Sequence, residues 1–216
     1  MLKVEKTEVF GWESAIRGMR NPMNSWDKSD SDWEFVEDPS IINPNDSIQW
    51  VIGENDLALM KRLSKAGNDH AKFLRMINVT VDITAPLYWW KEHDQYKIGT
   101  VTNSCSTMHK IHEKEFDWDD FSYEHLREVP RHLLGMTIDL LNVQRESYLE
   151  TKDKSHWWSM IQLLPSSYNQ KRTVQLNYSV LKNMYFSRRN HKLDEWHTLC
   201  DWMLTLPYFK EVCVDE

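Results

Sequence analysis

The segment Ile77–Ile83 reads Ile-Asn-Val-Thr-Val-Asp-Ile, so β-branched apolar side chains alternate with polar ones along its whole length. A period of two built from β-branched residues predicts a strand with one buried face. Pro86 follows closely, and proline suits the first position of a helix because the missing N–H has no partner there. We therefore predict a strand that runs almost directly into a helix over Leu87–His93.

Apolar residues at helical spacing predict that helices dominate the rest of the chain. One helix should be capped by Asn55 or Asp56 and end at Gly67. Two amphipathic helices are expected after His93, the second beginning near Pro130. The other predicted elements are an edge strand at 3–10 and helices at 13–19, 155–164, 174–188 and 193–206. Few strands among many helices predict an α+β fold, a small β-sheet covered by several long helices.

The chain has 216 residues, so we expect one domain spanning residues 1–216. Asn, Asp, Ser and Pro are concentrated in residues 21–54, with turn-forming pairs at Asn21-Pro22 and Asn43-Pro44. An irregular loop is therefore predicted there. It is either a lid, a surface that faces a partner, or an ordinary surface loop.

Charge and cysteine content restrict the class of protein. The formal net charge is −7, which disfavours a general nucleic-acid binder because phosphate contacts require clustered cations. The three cysteines, Cys105, Cys200 and Cys213, have no paired spacing and indicate reduced thiols in a cytoplasmic protein. We expect neither a signal peptide nor a membrane span, because no sufficiently apolar run occurs.

A second pattern lies just after the predicted helix. Residues 96–108 read Tyr-Lys-Ile-Gly-Thr-Val-Thr-Asn-Ser-Cys-Ser-Thr-Met. This window resembles the signature Arg-His-Arg-x-x-Ser-x-Asn-Glu-x-Ser-x-Arg of the flavin-dependent thymidylate synthases, the ThyX family. Asn103 and Ser106 match the signature, and Lys97 retains a cation. The chain thus looks like a divergent ThyX member that lacks the Arg-His-Arg cluster, and Met108 replaces the final arginine.

Further segments resemble the same family, in the same order. They are Ala15-Ile16-Arg17, the His-x-x-Phe turn from His70 to Phe73, the step Leu164-Pro165, and the later residues Asn177, Leu181 and Arg188. The family arginine two residues after the asparagine is Ser179 here. The resemblance covers roughly residues 13 to 206, and each piece alone is a weak signal.

The resemblance implies a ThyX-like fold and a homotetramer with sites at subunit interfaces. It implies FAD, dUMP, NADPH and a folate methylene donor, and the reductive methylation of dUMP in dTMP biosynthesis, a methyltransferase reaction. Transferred position by position, the cofactor-binding residues are His70, Lys97, Asn103 and Arg188. The substrate-binding residues are Arg17, Ser106 and Asn177, and no catalytic residue or metal ligand is assigned.

The replaced arginines leave three functions open. In the first alternative, the chain is a FAD-dependent enzyme that acts on dUMP or a related pyrimidine nucleotide, and Lys97, Arg17 or Arg20 holds the phosphate in place of the lost arginines. Alternatively, it is a non-catalytic scaffold that binds a nucleotide or a protein. The third alternative is a structural oligomer whose Trp-rich and Asp-rich loops contact a partner. Retained motif positions favour the first two functions, and the lost phosphate-binding arginines favour the last two.

Three other features have competing interpretations. Trp89 and Trp90 either stack on a flavin or base, or divide between core and boundary as adjacent tryptophans usually do. Spacing of three between His109 and His112 is compatible with metal binding, although scattered histidines are more often surface or core groups. Cys105 is more typical of a small packed residue than of a nucleophile.

Overall fold

The computed structural model describes residues 2–35 and 48–215. Its main sheet has four antiparallel strands in the order β1-β4-β6-β5. These strands are β1 (Lys3–Phe10), β4 (Asn78–Pro86), β6 (Asn169–Asn177) and β5 (Val101–Ser104). The helices are α1 (Trp12–Arg20), α2 (Glu54–Lys65), α3 (Leu87–His93), α4 (Glu128–Thr151), α5 (Lys154–Leu163), α6 (Tyr178–Arg188) and α7 (Asp194–Leu204). The predicted α+β class, a small sheet with several helices, is confirmed.

Strand β4 forms where the alternation predicted it. Its odd-numbered residues Val79, Val81 and Ile83 are buried, whereas the residues between them are partly exposed. It pairs with β1 on one side and with β6 on the other. Pro86 ends the strand and serves as the N-cap of α3, one position before the helical site that was predicted for it.

The predicted helix at 174–188 is wrong in its first four residues. Residues up to Asn177 complete β6, and α6 begins only at Tyr178. Val174, Leu176 and Tyr178 are buried, a spacing of two that a strand satisfies and a helix does not. The side-chain oxygen of Asn177 then accepts a hydrogen bond from Val180 N at 3.1 Å, which caps the new helix.

Only one of the two helices predicted after His93 exists. Between α3 and α4 lie β5 and a short 3₁₀ turn, Trp118–Asp120. Asp117 accepts a bond from Asp119 N, while Asp120 accepts one from Asp117 N, so these carboxylates cap the turn reciprocally. Polar capping residues in this stretch favour short turns over a continuous helix.

The segment predicted to be irregular, 21–54, contains regular structure within its described part. Two short antiparallel strands, β2 (Asp32–Phe35) and β3 (Ile48–Val51), form a second sheet. Trp33 lies opposite Trp50, and the ring centroids are 5.4 Å apart in an edge-to-face arrangement. Such cross-strand aromatic pairs stabilise a short ladder, and Trp50 also packs against the larger apolar cluster.

Apolar side chains form two separate clusters. The larger one joins the inner face of the main sheet to helices α1, α2, α3, α6 and α7. The smaller one lies between α4, α5 and the chain before α4, with Leu141 and Met160 fully buried. None of the described helices is both long and apolar enough to span a bilayer.

A buried ion pair attaches the first long loop to α2. Arg20 Nε donates to Asp56 Oδ1 at 2.6 Å, and the two side chains are 5% and 0% exposed. Ser29 and Ser31 hydroxyls donate to the other Asp56 oxygen, each at 2.7 Å. Burial alone would raise the pKa of Asp56, but these hydrogen bonds and the guanidinium outweigh it, so its pKa lies below the ordinary value.

The residue that caps the N-terminus of α2 is not one of the two that were predicted. Neither Asn55 nor Asp56 caps it, because the helix begins at Glu54 after Gly53. The carboxylate of Asp30 instead accepts bonds from the backbone N–H groups of Asn55 and Asp56, at 2.8 and 3.0 Å. The cap therefore comes from a residue distant in sequence, which local sequence patterns do not reveal.

We expect Asp56→Asn to lower the free energy of unfolding by about 3–5 kcal/mol, because it leaves a buried guanidinium without its counter-ion. Urea denaturation at neutral pH measures this change. The control is Asp201→Asn, at an exposed position of α7. Since the folded pKa of Asp56 is lowered, its contribution is complete above the unfolded pKa of about 3.9 and is lost as pH falls through the folded pKa. The difference between wild type and variant should therefore shrink only in acid, and an equal effect of both substitutions would contradict the assignment.

Candidate functional site

A cavity of about 900 Å³ opens between the loop after α3 and the first half of α6. We call it the Lys97 cavity. It is lined by Asn68, Leu74, Arg75, Gln95, Tyr96, Lys97, Ile98, Gly99, Asn177, Ser179, Val180, Lys182, Asn183 and Phe186. None of these described lining residues carries a carboxylate, although the whole chain is acidic.

The cations of the Lys97 cavity differ in how they are held. Within the described residues, Arg75 and Lys97 are exposed and form no ion pair. Lys182 is held in place, because its Nζ donates to Ser64 Oγ at 2.7 Å and to the Ser64 carbonyl at 3.2 Å. Two unpaired cations beside a third, fixed one make the cavity locally positive and suited to an anion.

The N-terminus of α6 also opens into the cavity. Asn177, Ser179 and Val180 line it from the first turn of this helix. The helix dipole favours negative charge at such a position, although the N–H groups of Tyr178 and Val180 already donate to the Ile77 carbonyl and to the Asn177 side chain. The helix end thus adds to the electrostatic preference of the cations.

An apolar wall completes the cavity. Leu74, Ile98, Val180 and Phe186 line it, and Ile98 and Phe186 are 91% and 40% exposed. Pockets that bind aromatic ligands combine such a wall with a few placed polar groups. The amide side chains of Gln95 and other lining residues are polar groups of this kind.

Gly99 permits the loop to approach α6 closely. Its φ is +77°, in the region that favours glycine, and a Cβ there would lie 3.1 Å from both Asn177 Nδ2 and Val180 Cγ2. Both neighbours belong to the start of α6. A side chain at position 99 would therefore require these two neighbours at the start of α6 to shift, in addition to the strain of the positive φ.

Arg188 fixes the beginning of this loop through hydrogen bonds made outside the cavity. Its Nε donates to the Tyr96 hydroxyl at 2.9 Å, and its Nη1 donates to Glu92 Oε2 at 2.9 Å. The guanidinium lies 4.7 Å from the ring centroid of Trp196, whose indole N–H also donates to Glu92. Arg188 is therefore a positioning residue for Tyr96 in this chain, and it does not line the cavity.

His93 lies next to the loop in a second, small cavity of about 200 Å³, which shares Tyr96 and Lys97 with the first. Its side chain is buried, and burial lowers its pKa to about 4, despite the opposing charge of Asp94. The imidazole is therefore uncharged at neutral pH. It adds a polar group beside Lys97 without adding positive charge.

The structure brings only some of the predicted site residues together. Lys97 and Asn177 line the same cavity, and Arg188 is linked to it through Tyr96. Asn103 lies exposed on β5, and Ser106 Oγ accepts hydrogen bonds from the backbone N–H groups of the residues two and three positions later. None of Asn103, Ser106, Arg17 or His70 lines the Lys97 cavity; His70 is in an exposed turn.

The two arginines proposed to replace the lost phosphate ligands have other partners. Arg17 pairs with Glu13 at 3.1 Å on the exposed side of α1. Arg20 forms the buried ion pair with Asp56. Arg20 is therefore unavailable to a phosphate, because breaking that pair would leave a buried carboxylate unpaired.

Trp89 and Trp90 belong to the core. They are 0% and 1% exposed, and their rings pack edge to face with centroids 4.8 Å apart. The guanidinium of Arg172 covers Trp90, and the ring of Trp196 lies against Trp89. Their burial excludes the interpretation as stacking surfaces for a flavin or base.

The expectation that Cys105 is a packed residue is wrong, because this thiol is exposed. Cys200 and Cys213 are free and buried, and burial raises the pKa of their thiols to about 11 and about 12. Across the described ranges, no group of three or more His, Cys, Asp or Glu side chains is arranged to hold a metal ion.

Sequence reasoning missed Arg75, Lys182, Gln95 and Asn183 as cavity residues. Arg75 follows the His-x-x-Phe turn by two residues, and Lys182 and Asn183 follow Asn177 by one helical turn or more. The sequence does show one cation, Arg75, Lys97 or Lys182, near each of three segments that resemble family motifs. It does not show that β6 ends at residue 177, which determines where α6 begins.

Searches against models of known protein families and against curated proteins give no match. The fold is nevertheless similar to solved structures over the full chain. A crystal structure of the flavin-dependent thymidylate synthase ThyX from Helicobacter pylori, complexed with FAD and dUMP, aligns with a TM-score of 0.68 and 17% identity. The alignment covers 99% of this chain and 98% of that one. A second structure of Helicobacter pylori ThyX with FAD and dUMP gives the same score and identity, covering 100% and 98%. The chain therefore has a ThyX-like fold.

We expect Gly99→Ala to lower the free energy of unfolding by about 1–2 kcal/mol for the positive φ, with a further loss from the contact with α6. Gly67→Ala is the matched control. Its φ is +102°, but no atom lies within 4 Å of the added Cβ, so it reports the backbone cost alone. Urea denaturation of both variants separates the two contributions. Equal losses would mean that the approach of the loop to α6 is not limited by position 99.

Proposed function

We propose that this chain is a ThyX-like protein that binds FAD and a pyrimidine nucleotide such as dUMP. The observation that carries the proposal is the Lys97 cavity. Its lining combines Arg75 and Lys97, which form no ion pair with the described residues, and the start of α6 with the apolar side chains of Leu74, Val180 and Phe186. A phosphorylated aromatic heterocycle requires this combination. The full-length likeness to structures that hold FAD and dUMP supports it.

The residues of the chain have defined roles in this proposal. Arg75, Lys97 and Lys182 neutralise phosphate, and the side-chain amides of Gln95 and Asn183 hydrogen-bond the sugar or base. Lys offers a point charge where Arg offers a planar fork, so phosphate would be held with less geometric definition than by paired arginines. A bound flavin would supply the hydride chemistry that protein side chains lack.

Turnover is a separate part of the proposal. If the protein is an enzyme, it methylates dUMP or a related pyrimidine nucleotide using NADPH and a folate donor. The chain then only has to position the reactants and exclude water, which is compatible with the absence of an assigned catalytic residue. Ligand binding without turnover would instead support the non-catalytic scaffold.

We expect the purified protein to carry a flavin, visible as an absorbance band at about 450 nm, or to acquire one when FAD is added. FAD and dUMP should each raise the melting temperature, because both bind only the folded state. Lys97→Ala and Arg75→Ala should weaken the binding of each phosphorylated ligand by about fivefold, the scale of one solvent-exposed ion pair.

The control for these variants is Lys192→Ala, which removes an exposed lysine outside the cavity. It changes net charge equally, so any effect of overall charge appears in all three variants. A protein that holds no flavin and gives no thermal shift with either ligand would refute the proposed function.

We also propose that the protein self-associates through α4. Five apolar residues of this helix are 46–79% exposed, and their spacing alternates between four and three: Val129, Leu133, Met136, Leu140 and Val143. That spacing is the seam of a helix that packs against another helix. The opposite face already packs in the smaller cluster through Leu134, Ile138 and Leu141. An exposed apolar stripe of this length indicates an interface, and a second copy supplies a matching stripe.

Self-association also bears on the predicted site residues that lie outside the cavity. Asn103, Ser106, Arg17 and His70 remain proposed ligand contacts. Sites shared between subunits are implied by the family resemblance, so these residues would act on a ligand held by a neighbouring copy.

We expect the wild-type protein to form an oligomer in light scattering coupled to size-exclusion chromatography, and Leu133→Glu with Met136→Glu to shift it to the monomer. Burying two carboxylates in an apolar seam would cost several kcal/mol each. Thr198→Glu, which adds one carboxylate at an exposed position of α7, is the control for added negative charge and should leave the mass unchanged. A wild-type monomer would contradict this proposal without affecting flavin binding by one chain.

A further inference from the structure

A second large cavity, of about 800 Å³, lies where β1 meets α1, beside the two-stranded sheet and the turn after α7. We call it the Trp33 cleft, after the most exposed of its aromatic residues: Phe10, Trp12, Trp33, Trp50 and Tyr208. It shares no lining residue with the Lys97 cavity. Its chemistry is therefore independent of the proposed nucleotide site.

Aromatic rings line the Trp33 cleft from two parts of the fold. Trp33 and Trp50 come from the paired strands β2 and β3, with centroids 5.4 Å apart. Trp12 and Tyr208 come from α1 and the turn after α7, with centroids 5.7 Å apart. Both pairs are edge to face, so the rings of each pair are steeply inclined to one another. Rings at such angles form a concave surface, whereas parallel rings form a flat one.

Part of this aromatic surface is exposed to solvent. Trp33 is 58% exposed and Phe10 is 43% exposed. Tryptophan is usually well buried, because it is the side chain with the largest apolar area to remove from water. Two large rings left open at the edge of one cavity indicate a surface that is completed by a ligand.

The charged groups of the cleft are carboxylates. Glu13 and Glu211 line it, and no Lys, Arg or His is among its described lining residues. Glu13 forms an ion pair with Arg17, and both side chains are more than half exposed to solvent. Glu211 forms no ion pair within the described residues. The cleft thus combines aromatic faces with one carboxylate, Glu211, that no described cation neutralises, whereas the Lys97 cavity carries cations.

We propose that the Trp33 cleft binds a quaternary ammonium group. A cation with an apolar exterior gains from the negative faces of Trp and Phe rings and from nearby carboxylates. It donates no hydrogen bonds, so a cleft that offers mainly ring faces satisfies it without leaving a donor unpaired. Primary ammonium groups are more strongly hydrated and lose more on entering such a site.

The test is a titration with choline followed by heteronuclear NMR of the tryptophan indole N–H groups. The chain has eleven tryptophans, and Trp33→Phe and Trp50→Phe identify the two relevant signals. We expect choline to shift both signals in a saturable manner. The uncharged carbon isostere of choline, with a tert-butyl group in place of trimethylammonium, should shift them much less. This comparison isolates the charge, because the two molecules have nearly the same shape.

Two further variants examine the roles of ring and carboxylate. Trp33→Ala and Glu211→Gln should each weaken choline binding by about fivefold. Glu150→Gln, at an exposed position near the end of α4, is the control for the loss of one negative charge. Glu211→Gln keeps side-chain size, so it remains informative if Trp33→Ala unfolds the small sheet.

A peptide with one trimethyllysine distinguishes a free ligand from a protein-borne one. Tighter binding of the peptide than of choline indicates a modified protein as the source, and tighter binding of choline indicates a small molecule. Equal shifts with the isostere, or unchanged affinity in Glu211→Gln, would overturn the proposal. Failure here leaves the flavin measurement unaffected, because the two cavities share no residue.

Discussion

The antiparallel pairing of β4 with β6 sets the position of nearly every functional element. The two strands pair along their whole length, from Asn78 opposite Asn177 to Pro86 opposite Asn169. At one end, Tyr178 N donates to the Ile77 carbonyl, which places the start of α6 next to the turn that carries Arg75. At the other end, Leu87 N donates to the Tyr168 carbonyl and fixes the start of α3. The Lys97 cavity lies between elements that this one ladder orients.

Sequence reasoning succeeded where a local pattern has a single physical interpretation. The alternation around Val79 and Val81 can be satisfied only by a half-buried strand, and Pro86 marks the beginning of α3. It failed at β6, because Val174 is in phase both with a strand and with the apolar positions of the helix that follows. Strand β5 has four exposed residues and no buried face, so no apolar period marks it.

The candidate site shows the same division. Lys97 and Asn177, which line the Lys97 cavity, were predicted as site residues because they belong to motif segments with a fixed spacing. Arg75 and Lys182 were not, because they meet only after three distant segments pack together. The exclusion of Arg20 from the site depends on its burial with Asp56, and burial of a particular arginine is a property of the tertiary structure. Composition also did not indicate the charge of the cavity, because the chain as a whole is acidic whereas the cavity is lined by cations.

The separation of the two apolar clusters has a consequence for biosynthesis. The smaller cluster joins α4 and α5, which are neighbours in the chain, and such local contacts form fast. Strand β4, in contrast, pairs with β6, which lies about 90 residues later in the chain. This pairing can form only after β6 has left the ribosome. Until then one edge of an apolar, β-branched strand is unpaired, as it would be in an aggregation-prone sheet. The helical pair α4–α5 lies between the two strands in sequence, so its early folding shortens the chain that separates them and brings the delayed edge to its partner.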